Sequence, residues 1–226
     1  MSYFEKNLAI MTEADQQLLA KKKVLVAGCG GLGGSVIELL CRSGFMNLTV
    51  VDGDVFSETN MNRQILCTTE TLGQNKALAA VERARLISPE INIEAVTEFI
   101  TKDNIKTLIH GNDLVMDALD SIECRLLMED ACAAEGIPII HGAVRDWMLQ
   151  VAVCPPGAGI LHKIYNVETS PKGSPGGVGV NVFSCASFEV TEAIKLLTGR
   201  EGLLSGQVLF FDLLEKESQI LDLRDQ

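Results

Sequence analysis

Val24–Ala27 is a continuous apolar run of strand length, with three lysines before it and glycine after it, which predicts a strand buried on both faces. From Gly31 to Ser43 the apolar positions recur at helical spacing, and "NLTVVDGD" from Asn47 reads as a second strand ending at Asp52. The chain therefore opens with a βαβ unit. The same alternation continues: "LGQNKALAAVERARLIS" predicts a helix stopped by Pro89, and "INIEAVTEF" alternates like a strand. "DNIKTLIHG" and "SIECRLLMEDACAAEG" read as helices, "DLVMDAL" and "IPIIHGAV" as strands. Repeated βα units with apolar strands predict an α/β fold, a Rossmann-like doubly wound and mostly parallel sheet covered on both faces.

The rhythm changes at Asp146. "WMLQVAVC" follows the preceding strand after a short turn, as an antiparallel neighbour would, and the tail "GQVLFFDLLEKESQILDL" predicts a closing hairpin, so the C-terminal strands are expected to be antiparallel. Between them, about 155–179 holds four of the six prolines and reads as a mobile crossover loop. "FSCASFEVTEAIKLLTG" then reads as a buried helix stopped by Gly199. With no internal repeat, 1–226 is read as a single domain.

Composition narrows the function. A net charge of −11 offers no basic patch to a nucleic-acid backbone, so no nucleic-acid partner is expected. Val24–Cys41 follows lysines and carries only Glu38 as a charge, but its five glycines fit a strand–turn–helix better than a membrane span. The first residues lack a basic start with an apolar core, which points to the cytoplasm. Seven cysteines, none in a C-x-x-C pair, suit a reducing compartment, and no structural zinc is expected.

The chemistry concentrates at strand ends. Gly28, Gly30 and Gly33 fit G-x-G-x-x-G, with Gly31 inside it: bare backbone lets a phosphate approach N–H groups at a helix start. Asp52 stands where a dinucleotide fold places an acid for ribose hydroxyls. Asn60, Arg63 and Gln64 follow, then Lys76, groups suited to a triphosphate rather than to hydride transfer. Plainer roles also fit: Asp52 capping a turn, Arg63 pairing with a surface carboxylate, Lys76 a solvated charge, Asp120 an N-cap, Arg125 a helix ion pair and His141 a satisfied core imidazole.

In "GCGGLG", "DGDVFSETNMNRQ", "GQNKA", "MDALDSIECR" and "EAIKLLTG", in that order, the sequence resembles the ThiF/MoeB/HesA family of adenylating enzymes over nearly its whole length. The resemblance implies ATP and Mg2+ as cofactors. It also implies a ubiquitin-like sulfur-carrier protein as partner, whose C-terminal Gly-Gly carboxylate attacks the α-phosphate, and a homodimer. Position by position it assigns Gly28, Gly30, Gly31 and Gly33 to the nucleotide loop, Asp52 to the ribose, Asn60, Arg63, Gln64 and Lys76 to the phosphates, and Asp120 to magnesium. Arg63, Lys76 and Asp120 become the catalytic candidates.

Three departures stand out. The family's N-terminal arginine, which reaches the neighbouring subunit's nucleotide, is Lys6 here, so any trans contact loses the guanidinium fork. The two C-x-x-C pairs of many relatives are absent, and 155–179 holds Lys163, Lys172 and Ser174 but no cysteine. With Cys154 at the loop's edge and Cys185 in an apolar helix, no obligatory thioester is expected. The sequence leaves two other functions open: an NAD-dependent dehydrogenase, allowed by the glycines and Asp52 alone, and a non-catalytic docking subunit of an adenylating complex.

Overall fold

The computed structural model describes residues 2–165 and 177–224. A 3-10 turn, Ser2–Ala9, precedes α1 (Glu13–Lys21), β1 (Lys23–Ala27), α2 (Gly31–Ser43) and β2 (Asn47–Val51). After a short 3-10 turn at Glu58–Asn60 come α3 (Lys76–Ile87), β3 (Asn92–Val96), α4 (Ile105–Ile109), β4 (Leu114–Asp117), α5 (Ile122–Glu135) and β5 (Ile139–Arg145). The chain continues through β6 (Met148–Cys154), α6 (Ile160–Ile164), α7 (Gly179–Thr198), β7 (Gln207–Asp212) and β8 (Glu217–Asp222).

All eight strands form one sheet in the order β3-β2-β1-β4-β5-β6-β7-β8. The first five are parallel, and β6, β7 and β8 add antiparallel, as the sequence pattern predicts. Alternation along β1 splits the core in two. Val24 and Val26 pack with α2, α3 and α7, whereas Leu25 and Ala27 pack with α4, α5 and α6. Burial on both faces is why this strand carries no polar position after Lys23. Replacing a fully buried side chain such as Leu25 by Ala should cost about 2–5 kcal/mol.

Helix ends follow local chemistry. Thr12 and Asp15 form a capping box on α1, Asn75 and Ser121 cap α3 and α5, and Gly44 ends α2 at φ 89°. Two elements lie outside the sequence-based reading: α1 and α6. The latter corrects the description of 155–179 as loop throughout, because its front part is a helical turn whose Ile160 and Leu161 are fully buried. Glu129 of α5 accepts the Leu161 and His162 N–H groups at 2.9 and 3.0 Å, and Lys163 reaches the Leu223 carbonyl at 2.7 Å. Lys172 and Ser174 lie outside the described residues.

The order of strands reverses between β1 and β4: the chain winds outward to β2 and β3, then returns to place β4 on the other side of β1. In open α/β sheets the crevice for a ligand lies outside the strand C-termini at such a point. The glycine loop after β1 and the turn after β4 meet there.

Candidate active site at the end of the parallel strands

The glycine loop is shaped by close backbone approach. Gly28 has φ 95°, and a Cβ on it would stand 2.8 Å from the Ala118 carbonyl oxygen in the turn after β4. A Cβ on Gly33 would fall 1.8 Å from the Gly28 carbonyl oxygen, so the start of α2 can lie on the loop only without one. Gly30 is the N-cap of α2 and no side chain caps it, which leaves the first N–H groups of a 13-residue helix for another acceptor. Asp52 ties β2 to this loop. Its Oδ2 accepts the Cys29 N–H at 2.8 Å and its Oδ1 accepts the Asp54 N–H at 2.9 Å, so one half-buried carboxylate caps the turn and is fixed beside the glycine loop.

The following segment carries the candidate phosphate groups. Asn60 accepts the Ser57 N–H at 3.0 Å and so closes the 3-10 turn. Arg63 sends Nη1 to the Thr59 carbonyl and to Asn62 Oδ1, each at 2.9 Å, and to no carboxylate among the described residues. Gln64 is buried against Gly30, and its Oε1 has no partner among the described residues. Lys76, only 7% exposed, is the first residue of α3 rather than a solvated charge. Its Nζ donates to Asp54 Oδ2 at 2.6 Å, and this ammonium holds the exposed Asp54 carboxyl below its ordinary range. Asp54 escaped the sequence reading, although it stands in the same motif as Asp52.

On the other side of the crevice, β4 ends in Asp117, which is fully buried. Its Oδ2 lies 2.7 Å from His141 Nδ1 and 3.7 Å from Arg125 Nε, and its Oδ1 accepts the Leu119 N–H at 3.1 Å. Burial pushes this carboxyl up, but Arg125 and His141 together bring it below the usual range. Burial pushes the His141 ring down, so at neutral pH its Nδ1–H donates to Asp117 and its Nε2 accepts. The Tyr165 hydroxyl, 2.9 Å from Nε2, is pushed by burial to about 12. His141 is thus the satisfied core imidazole considered from sequence, whereas Arg125 pairs across the fold rather than along its own helix. Glu189 of α7 is also fully buried, in space left by Gly142, and neither carboxylate oxygen has a partner among the described residues. Burial, and after it the charge of Asp117, push its carboxyl well above the usual carboxylate range.

Asp120 differs from its neighbours. It is exposed and has no hydrogen bond among the described residues, and Ser121, not Asp120, caps α5. Lys6 is exposed on the N-terminal turn. Cys154 and Cys185 are 2% and 0% exposed, and burial pushes both thiols well up, the opposite of an activated nucleophile.

The arrangement fits a nucleotide with a hard cation. The uncapped N-terminus of α2 and the glycines whose Cβ atoms would collide with backbone form the loop where phosphates would lie. No group of three or more His, Cys, Asp or Glu side chains converges among the described residues. One free carboxylate, Asp120, is what magnesium uses when substrate phosphates and waters supply its other ligands.

The ThiF family profile matches residues 4–226. Over 205 residues the chain is 32% identical to the SAMP-activating enzyme E1 of Haloferax volcanii, covering 88% of this chain and 76% of that one. Over 220 residues it is 33% identical to the sulfur carrier protein adenylyltransferase of Thermus thermophilus, covering 92% and 81%. Among solved structures, Escherichia coli MccB with ATP superposes with a TM-score of 0.79 at 20% identity, a likeness of fold, and this chain spans 66% of MccB against 92% of itself. Loop, polar residues in order and profile agree: the chain belongs to the ThiF family.

Proposed function

We propose that this protein is an adenylyltransferase that uses ATP and Mg2+ to activate the C-terminal Gly-Gly carboxylate of a ubiquitin-like sulfur-carrier protein, acting as a homodimer. The observation that carries this reading is the meeting, at the switch point of the sheet, of a preformed bare-backbone loop with the turn after β4, with Lys76 buried in the segment after β2 and Asp120, after β4, exposed and without a hydrogen bond among the described residues. The names of the Haloferax and Thermus relatives support the substrate class.

Attack by a carboxylate on an α-phosphate brings two anions together, so the chain must supply positive charge and fixed dipoles more than proton transfer. The attacking group is already ionised and needs no base. The N–H groups at the start of α2 would receive phosphate oxygens, and Asp52 would accept from the ribose while it holds Cys29. Lys76 would exchange Asp54, whose half-exposed carboxylate water can take up, for a phosphate oxygen. Arg63 is held only by a carbonyl and an amide, so its guanidinium is free of any competing anion among the described residues. Asp120 would hold magnesium, which when bound neutralises phosphate charge. Phosphate-binding cations and a metal carboxylate have no part in hydride transfer, which disfavours the dehydrogenase reading, and retention of the whole set disfavours a docking subunit.

The test is ATP–pyrophosphate exchange with candidate carriers, each with and without its terminal Gly-Gly. Exchange that requires the intact tail supports the reading. Exchange with no carrier, or exchange indifferent to the tail, removes it.

A further inference from the structure

Asp120 has no hydrogen bond among the described residues to fix it, yet a metal carboxylate must be placed to a fraction of an ångström. Its place comes from the residue before it. The Leu119 N–H is accepted by Asp117 Oδ1 at 3.1 Å, and the Leu119 carbonyl receives two donors from one side chain, Arg125 Nε at 3.0 Å and Arg125 Nη2. The remaining amine, Nη1, donates to the Tyr165 hydroxyl at 2.5 Å, and the guanidinium carbon lies 5.2 Å from that ring's centre. Gln150 Nε2, 3.1 Å from the same hydroxyl, braces it from β6.

Arg125 sits in the first turns of α5, where its charge opposes the helix dipole, and it is only 7% exposed. A buried ion pair with Asp117 is weak evidence for stability, since the desolvation it requires offsets much of the attraction. What the geometry does achieve is a double hold on one peptide carbonyl, and that carbonyl belongs to the bond leading into Asp120. We propose that Arg125 is a positioning residue for Asp120, fixing the Ala118–Asp120 turn so that the carboxylate meets a nucleotide-bound divalent cation, with Tyr165 as the brace that fixes Arg125. This inference rests on the functional reading above, in which Asp120 serves the metal.

A lysine at 125 would keep the charge opposite Asp117 but could offer a single donor in place of the fork, and Tyr165→Phe would keep the ring and lose the hydroxyl. The experiment uses the full chain and measures the affinity of a non-hydrolysable ATP analogue by calorimetry, with and without Mg2+, beside thermal unfolding and exchange kinetics. For Arg125→Lys the expected result is metal-free affinity within about twofold of wild type. The gain in affinity on adding Mg2+ should be cut at least about tenfold, with exchange kcat reduced and carrier KM unchanged. Tyr165→Phe should move the same quantities by less. Excess Mg2+ should restore part of the loss, which it would not do for a merely misfolded protein.

A folded Arg125→Lys with the wild-type Mg2+ gain, or with metal-free affinity reduced by as much, overturns the proposal. Should Arg125→Lys fail to fold, Tyr165→Phe decides: a Mg2+-specific loss supports the proposal and an unchanged gain overturns it. Failure of the functional reading looks different, because the wild-type protein itself would then show neither exchange nor a Mg2+-dependent gain.

Discussion

Asp117 and Asp120 stand three residues apart at the end of one strand and are built in opposite ways. Asp117 is fully buried, and its two oxygens serve His141, Arg125 and the Leu119 N–H. Asp120 is exposed and bonded to nothing among the described residues. A carboxylate whose lone pairs are already used holds the fold together, whereas one left open at a ligand crevice is available to a ligand. The turn between them joins the two: the inner layer fixes the backbone, and the rim leaves the Asp120 carboxylate open.

This contrast breaks if the two substitutions behave alike. Asp117→Ala should destabilise the protein by about 3–5 kcal/mol, because it leaves the Arg125 charge buried and unpaired; denaturant unfolding measures it, and a loss under about 1 kcal/mol would contradict the assignment. Asp120→Asn should leave unfolding unchanged and nearly abolish pyrophosphate exchange, since an amide is a poor magnesium ligand. Near-normal exchange would remove the metal role.

A smaller effect separates the two sides of the crevice. Lys76→Ala and Arg63→Ala should each slow exchange by at least about tenfold through lost phosphate stabilisation. If both retain wild-type rates, the phosphates lie elsewhere.

The smallest effect concerns Glu189, the buried carboxyl that contributes to neither role. Its folded pKa lies above the usual value of 4.5, pushed up by burial and by Asp117, so folding takes up a proton and stability falls as pH rises beyond that value. Glu189→Gln removes this cost. It should raise the melting temperature by at least about 2–4 °C at pH 8 and leave it nearly unchanged at pH 4. An equal shift at both pH values would show that the gain has another origin.

Much of this was legible in the chain. The glycine spacing, the alternation of apolar runs and the change of rhythm at Asp146 reflect local rules, and the parallel sheet with its antiparallel end follows from them. The cap of α1 was also there to read, as Thr12 with Asp15 three residues on. Pairings across the fold were not legible. Tyr165 lies 40 positions from Arg125, and His141 lies 24 from Asp117; no local pattern marks such partners. The α6 turn was hidden for the same reason, since its N–H groups are capped by Glu129, an acid from another helix. Asn60, assigned to phosphate by resemblance, is engaged in closing its own turn, which local hydrogen-bonding rules for asparagine permit.

In the proposed reaction a carrier's C-terminal carboxylate attacks the α-phosphate in this crevice. Intact-mass analysis of a Gly-Gly carrier after brief incubation with the protein, ATP and Mg2+, with nucleotide products followed in parallel, reads this step itself. The expected result is a carrier heavier by one adenylyl group, with pyrophosphate released and no such product from Asp120→Asn. An unmodified carrier accompanied by ADP and phosphate would contradict it.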